Sequence, residues 1–135
     1  MTTSTSLVTG VDFVSVPTKD LDAAMDFYGN VLGLPRSSVW QREGHPAMGA
    51  EFETGTVTIA VIATDMIGIE FSPNEVPIAL RVDDVAAARS ELESRGVTFK
   101  GEIIDSGVCH QALFTDPDGN SLDLHHRYAP FARDA

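Results

Sequence analysis

The chain has 135 residues, with 20 Asp and Glu against nine Lys and Arg, for a formal net charge of −11. Length argues for a single domain, which at this size buries about two thirds of its unfolded surface without staples; the one cysteine, Cys109, excludes an internal disulfide. The acid excess argues against a nucleic-acid binder, whose affinity rests on basic residues against phosphate, and against an anionic membrane surface.

The longest apolar stretches, near Val57 to Ala63 and Val76 to Leu80, fall far short of the roughly 20 residues a membrane helix needs. Met1 to Ser6 is a Thr/Ser tail without the charged and apolar regions of a signal peptide, so a frayed end is expected. These features point to the cytoplasm, with Cys109 reduced. Solubility is the plainer reading of the acidity, and steering of a cationic ligand is the second.

In chain order, Val11 to Val16 alternates and is valine-rich, so it reads as a strand that Pro17 ends. Asp20 is placed to cap a helix. Leu21, Met25, Tyr28 and Leu32 then form one apolar stripe, and Gly33 stops it. Strands follow around Arg36 to Arg42, Ala47 to Glu53 and Val57 to Ala63, separated by Glu43-Gly44-His45-Pro46 and Thr54-Gly55 turns. Thr64 to Glu75 is irregular and reads as a link. Val76 to Val82 is the next strand, and Asp83 or Asp84 caps a helix from Val85 to Arg95 that Gly96 stops. Val97 to Lys100, Cys109 to Thr115 and Ser121 to His126 are three more strands, the last two joined by the turn Asp116-Pro117-Asp118-Gly119-Asn120.

The order strand, helix, three strands therefore occurs twice. Asp20 maps on Asp84, Leu21 on Val85, Ala24 on Ala88, Tyr28 on Leu92 and Gly55 on Gly119, all 64 residues apart. The reading is one domain over 1–135, with module one about 8–64 and module two about 75–128.

Three blocks carry a family resemblance: Asp20-Leu21-Asp22-Ala23-Ala24-Met25-Asp26-Phe27-Tyr28 with Val31-Leu32-Gly33-Leu34; Val82-Asp83-Asp84-Val85 with Ala86-Ala87-Ala88; and Phe114 to Asn120. The pattern resembles the vicinal oxygen chelate superfamily, which includes glyoxalase I, extradiol dioxygenases and bleomycin-binding resistance proteins. The resemblance implies an α+β fold: two βαβββ modules forming curled mixed sheets around a cup-shaped cavity, with helices outside. Function must still be argued from the site, because the scaffold hosts many chemistries.

Metal-dependent members of that superfamily place an inward His or Glu on each of four strands, an oxygen and nitrogen set suited to Mn²⁺, Fe²⁺, Ni²⁺ or Mg²⁺. Carried over by offset, the first position is Phe13 and the third is Pro77. The fourth is Asp123. The second is Ile59, or Ala60 if the register slips by one. Only Asp123 has a lone pair to give, so no metal ligands and no cofactor are expected. His45, His110, His125 and His126 do not rebuild a site by spacing.

Alternation on the last strand puts Ser121, Asp123 and His125 on the cup side and His126 on the other. Across the hairpin, Leu113 should face Asp123 and Gln111 should face His125. Cys109, Gln111 and Leu113 then point inward, and His110, Ala112 and Phe114 outward. Asp123 and His125 are the candidate acid–base pair. The candidate ligand-binding set is Phe13, Ser15, Trp40, Ile59, Pro77, Arg81, Cys109, Gln111 and Leu113. Arg81 could meet an anionic group of a ligand or an acid of the chain itself. The set is mostly apolar with a few polar groups, the composition of a small-molecule site.

Three functions follow. The first is metal-independent binding of a small organic molecule, as the resemblance to resistance proteins implies, with the acid excess suiting a cationic one. The second is a lyase or isomerase that uses Asp123 and His125. The third is a metal enzyme with a relocated site. Expected partners are a small organic molecule and a second copy of the chain in a homodimer, with no nucleic acid and no membrane.

Overall fold

The computed structural model describes residues 6–130, so Met1 to Thr5 of the expected frayed tail lie outside the described residues. The elements are β1 (Phe13–Thr18), α1 (Leu21–Asp26), β2 (Arg36–Gln41), β3 (Ala47–Glu53), β4 (Thr58–Ala63), β5 (Ile78–Arg81), α2 (Val85–Ser94), β6 (Phe99–Asp105), β7 (Cys109–Thr115) and β8 (Ser121–Arg127). They form two four-stranded mixed sheets, ordered β1-β4-β3-β2 and β5-β8-β7-β6. The duplicated α+β architecture expected from the repeat is therefore present. In each sheet the first strand of the module runs parallel to the last, and the other pairs are antiparallel.

Local chemistry accounts for the element ends. Asp20 and Asp84 each accept a backbone N–H three residues on, from Ala23 at 3.1 Å and Ala87 at 3.0 Å, as N-caps do. The first helix is shorter than its apolar stripe suggested, because after Asp26 it widens into a π turn over Phe27–Val31. Pro17 does not end β1. That strand lies at a sheet edge, where one side of the backbone has no ladder partner and a missing N–H costs nothing. Val76 and Pro77 precede β5 rather than opening it. β6 runs on to Asp105, past the expected end at Lys100, because its register shifts between Lys100 and Ile104 around Gly101 at φ +69°.

Both helices pack on one face of their own sheet. Val16, Ile59, Val61, Phe52, Phe114, Leu122 and Leu124 from the two sheets join Phe27, Tyr28, Val85 and Leu92 in one buried cluster. Phe27 of the π turn reaches Phe114 of β7, ring centroids 6.5 Å apart. The helix-covered faces of the two modules thus share a core, and the opposite face of each sheet points away from it.

A polar latch joins the modules. Tyr28 donates its hydroxyl to Asp116 Oδ2 at 2.7 Å, and Asn120 donates to the same oxygen at 2.8 Å. Asp116 Oδ1 accepts the backbone N–H groups of Asp118 and Asn120, each at 2.9 Å. Asn120 also donates to the Pro17 carbonyl at 2.8 Å, and Thr18 donates to Asp118 Oδ2 at 2.6 Å. The β7–β8 turn is therefore more than a reversal: it ties module two to the end of β1 and to the helix of module one.

Candidate functional site

The strand registers sort the residues onto faces. On β8, Asp123 stands opposite Leu113 of β7 and beside Ala79 of β5, and His125 stands opposite Gln111 and beside Arg81. The expected hairpin register is thus present. Cys109, opposite Arg127, shares the same free face. His110 and His126 pair with each other on the other face. His126 Nδ1 lies 3.2 Å from the Val82 carbonyl, and His110 Nε2 lies 3.4 Å from Asp105.

In the first sheet, Phe13 aligns with Thr58 and Ser15 with Ala60. Ala60 faces Glu51, and Gly49 faces Trp40. The free face therefore holds Phe13, Ser15 and Trp40 as expected. Ile59 does not belong to it. It pairs with Val14 and Phe52 on the helix-covered face and is 1% exposed. The turn offset predicted Ile59, but the register slips by one, and Ala60 is the counterpart of Asp123: Ser15 pairs with Ala60 as Ala79 pairs with Asp123. Pro77 lies exposed just before β5.

Two carboxylates on the free face were missed. Glu51 accepts the Trp40 indole N–H at 2.6 Å. Glu53 accepts the Thr58 hydroxyl at 2.6 Å and also that of Ser37. Those hydroxyls hold the Glu53 carboxyl below the usual carboxylate range. The alternation Gly49, Glu51, Glu53 against Ala50, Phe52 in β3 was the signal that could have found them. Trp40 reaches across the sheet to Phe13, ring centroids 5.7 Å apart in an edge-to-face pair. Gly49 makes room for the indole: a Cβ there would come 3.2 Å from the Trp40 ring.

Asp123 is the unusual group of the second sheet. It is 4% exposed, and its Oδ1 is buried with no hydrogen-bond partner. Burial raises its carboxyl above the usual value, opposed by the His125 charge and the Ala112 backbone N–H. Because a buried acceptor without a donor costs free energy, such a group in a native fold calls for an explanation.

A further cavity is present. About 610 Å³ opens between β5, α2 and the edge of module one, lined mainly by aliphatic side chains such as Val14, Ile59, Leu80, Leu92 and Leu124. Of its charged lining residues, Arg95 donates to Glu91 at 3.0 Å and to the Val31 carbonyl at 2.8 Å, and Arg81 borders it from β5. A smaller cavity of about 270 Å³ is lined by Arg42, His45, Met48, Met66 and Ile67, which places His45 there and not among the free-face groups named above.

Metal ligation can be tested on the donors present. The four positions at which the resemblance implies ligands are occupied by Phe13, Ala60, Pro77 and Asp123, and three of these have no donor atom in the side chain. The set does not fit a divalent ion. Among the described residues, no three His, Cys, Asp or Glu side chains come together as a candidate metal group.

Two βαβββ modules with helices on one face of each sheet define a duplicated curled-sheet scaffold. The chain belongs to the Glyoxalase/Bleomycin resistance protein/Dioxygenase superfamily, whose family model matches residues 10–124. Among solved structures it is similar to TnmS3, an antibiotic binding protein from Streptomyces sp. CB03234, at 26% identity and a TM-score of 0.75, covering 91% of this chain and 99% of that one. A glyoxalase/bleomycin resistance protein from the same organism is also 26% identical, with a TM-score of 0.69 over 87% of this chain and 100% of that one. A lactoylglutathione lyase from Agrobacterium tumefaciens shares the fold at 18% identity, with a TM-score of 0.71 over 87% and 93% of the two chains. No curated protein matches. Among the described residues no helix is long and apolar enough to cross a membrane.

Proposed function

We propose that the protein binds a small organic molecule without a metal, in the manner suggested by its antibiotic-binding neighbour, and that it does so as a cytoplasmic homodimer. The observation that carries the reading is the chemistry of the free face of module one. An aromatic pair, Phe13 and Trp40, stands beside Glu51 where a metal enzyme would present ligands. Aromatic faces beside carboxylates suit a cation. The donor-poor positions Phe13, Ala60 and Pro77 support the metal-free part. For the dimer, support comes from the edge strands β1 and β5 and from apolar side chains left exposed in one chain, Val11 at 63% and Phe13 at 44%. Within one chain the free faces point away from the common core, so a cup is completed by a second copy.

The test is a thermal-shift screen of cationic antibiotics, followed by calorimetry on any hit with wild type and Trp40→Ala. Expected are binding, unchanged by chelator, and a loss of about tenfold or more in the variant. A stoichiometric metal that is required for binding, or hits only among anions, would contradict the proposal. Light scattering should give twice the chain mass.

One observation favours a second reading. The buried Asp123 beside His125, its Oδ1 without a hydrogen-bond partner, has the environment of an acid–base group, and a lyase or isomerase would use it so. Product analysis after incubation with any bound compound separates the two, since turnover abolished by Asp123→Asn would establish the enzyme.

A further inference from the structure

Resting on the reading just given, the ligand's own charge pattern can be inferred. The two free faces carry opposite charge. On the first sheet, the charged side chains that the registers place on the free face are Glu51 and Glu53, both acids. On the second, they are Lys100, Arg81 and Arg127, with Asp123 the one carboxylate at a paired position and His125 between; Glu102 lies in the register shift between Lys100 and Ile104. Three of the nine basic residues of a chain at −11 therefore belong to one sheet face, Arg81 on one edge strand and Lys100 on the other. The segregation is not a consequence of local pairing. The side chains of Arg81 and Lys100 are exposed and make no hydrogen bond or ion pair among the described residues, although acids are abundant in the chain. Across the sheet lies the buried Asp123 Oδ1, an acceptor with no donor.

We propose that the completed cup is bipolar and takes a zwitterionic organic molecule. Its cationic or aromatic end lies on Phe13, Trp40 and Glu51 of one copy. Its anionic group lies against Arg81 of the other, and an N–H or O–H of the ligand fills Asp123 Oδ1. A basic wall facing an acidic one also draws the two copies together in this pairing rather than like face to like face. A purely cationic ligand would leave Arg81 and Lys100 opposed to it, and a purely anionic one would meet Glu51 and Glu53.

Trp40 is the one tryptophan of the chain, so its emission reports the site directly. Three matched compounds serve as probes: 4-(aminomethyl)benzoate, which carries both charges, its methyl ester, which carries the cation alone, and 4-methylbenzoate, the anion alone. Titration of the full chain should give the zwitterion about tenfold tighter binding than either single-charge analogue, the effect of one added charged contact. Arg81→Ala should weaken the zwitterion about tenfold and, because it removes a charge opposed to the cation, should not weaken the ester. Glu51→Gln should weaken the ester and, by removing a like charge, should not weaken 4-methylbenzoate. An ester that binds as tightly as the zwitterion would overturn the bipolar assignment and leave the cationic-ligand reading standing. A monomer by light scattering, or no Trp40 response to any of the three at millimolar concentration, would overturn both.

Discussion

Asp123 concentrates the site's energetics in one atom. A buried acceptor left without a donor costs about 1–3 kcal/mol, and here the cost falls on the charged form. The folded carboxyl titrates above its ordinary value of 3.8, so the folded state holds its proton where the unfolded chain has lost it. Stability associated with this group is present below about pH 4 and is lost as pH rises through the folded value. Asp123→Asn should therefore stabilise the protein at pH 7, by about 1 kcal/mol, with the gain shrinking toward pH 4. Urea unfolding at the two pH values checks this, and an equal difference at both would contradict the assignment. Tyr28 gives the alkaline counterpart. Burial, and then Asp116, push its phenol far above the usual range. The unfolded chain loses that proton near pH 10 and the folded one does not, so stability should fall above pH 10 more steeply in the wild type than in Tyr28→Phe, where only Tyr128, raised by its hydrogen bond to Asp105, contributes.

At the scale of elements, the β7–β8 turn and the β3 strand do the positioning. Asp116 receives four hydrogen bonds and is 4% exposed. Asp116→Ala should cost about 3 kcal/mol or more, and Tyr28→Phe about 1–2. Because both belong to one network, the double variant should cost less than the two together. Gly49 sits under the Trp40 ring, and an added Cβ would come 2.6 Å from the Val61 carbonyl. Gly49→Ala should therefore both destabilise the sheet and shift Trp40 emission, whereas a change in stability alone would mean that the ring does not rest on this position. Neither role was legible in advance. The turn was readable from its proline and glycine, but a latch to Tyr28, 88 residues away, depends on contacts that no local pattern encodes.

For the whole molecule, the shared core predicts cooperativity. Phe27 of module one packs on Phe114 of module two, and the latch crosses the same boundary. Far-UV circular dichroism and Trp40 fluorescence, the latter reporting module one alone, should follow one urea transition; two separated transitions would show that the modules fold independently.

The duplication, the caps at Asp20 and Asp84, the hairpin register of Asp123 and His125, and the poverty of metal donors were all readable from residue order. Each rests on short-range physics: periodicity, capping and alternation. The slip from Ile59 to Ala60, the carboxylates gathered beside Trp40, and the opposite charge of the two free faces were not. They depend on how parallel strands align across a helix and on which edges meet. Those alignments are set by packing between distant segments, where a shift of one residue exchanges buried for exposed and leaves the local pattern unchanged.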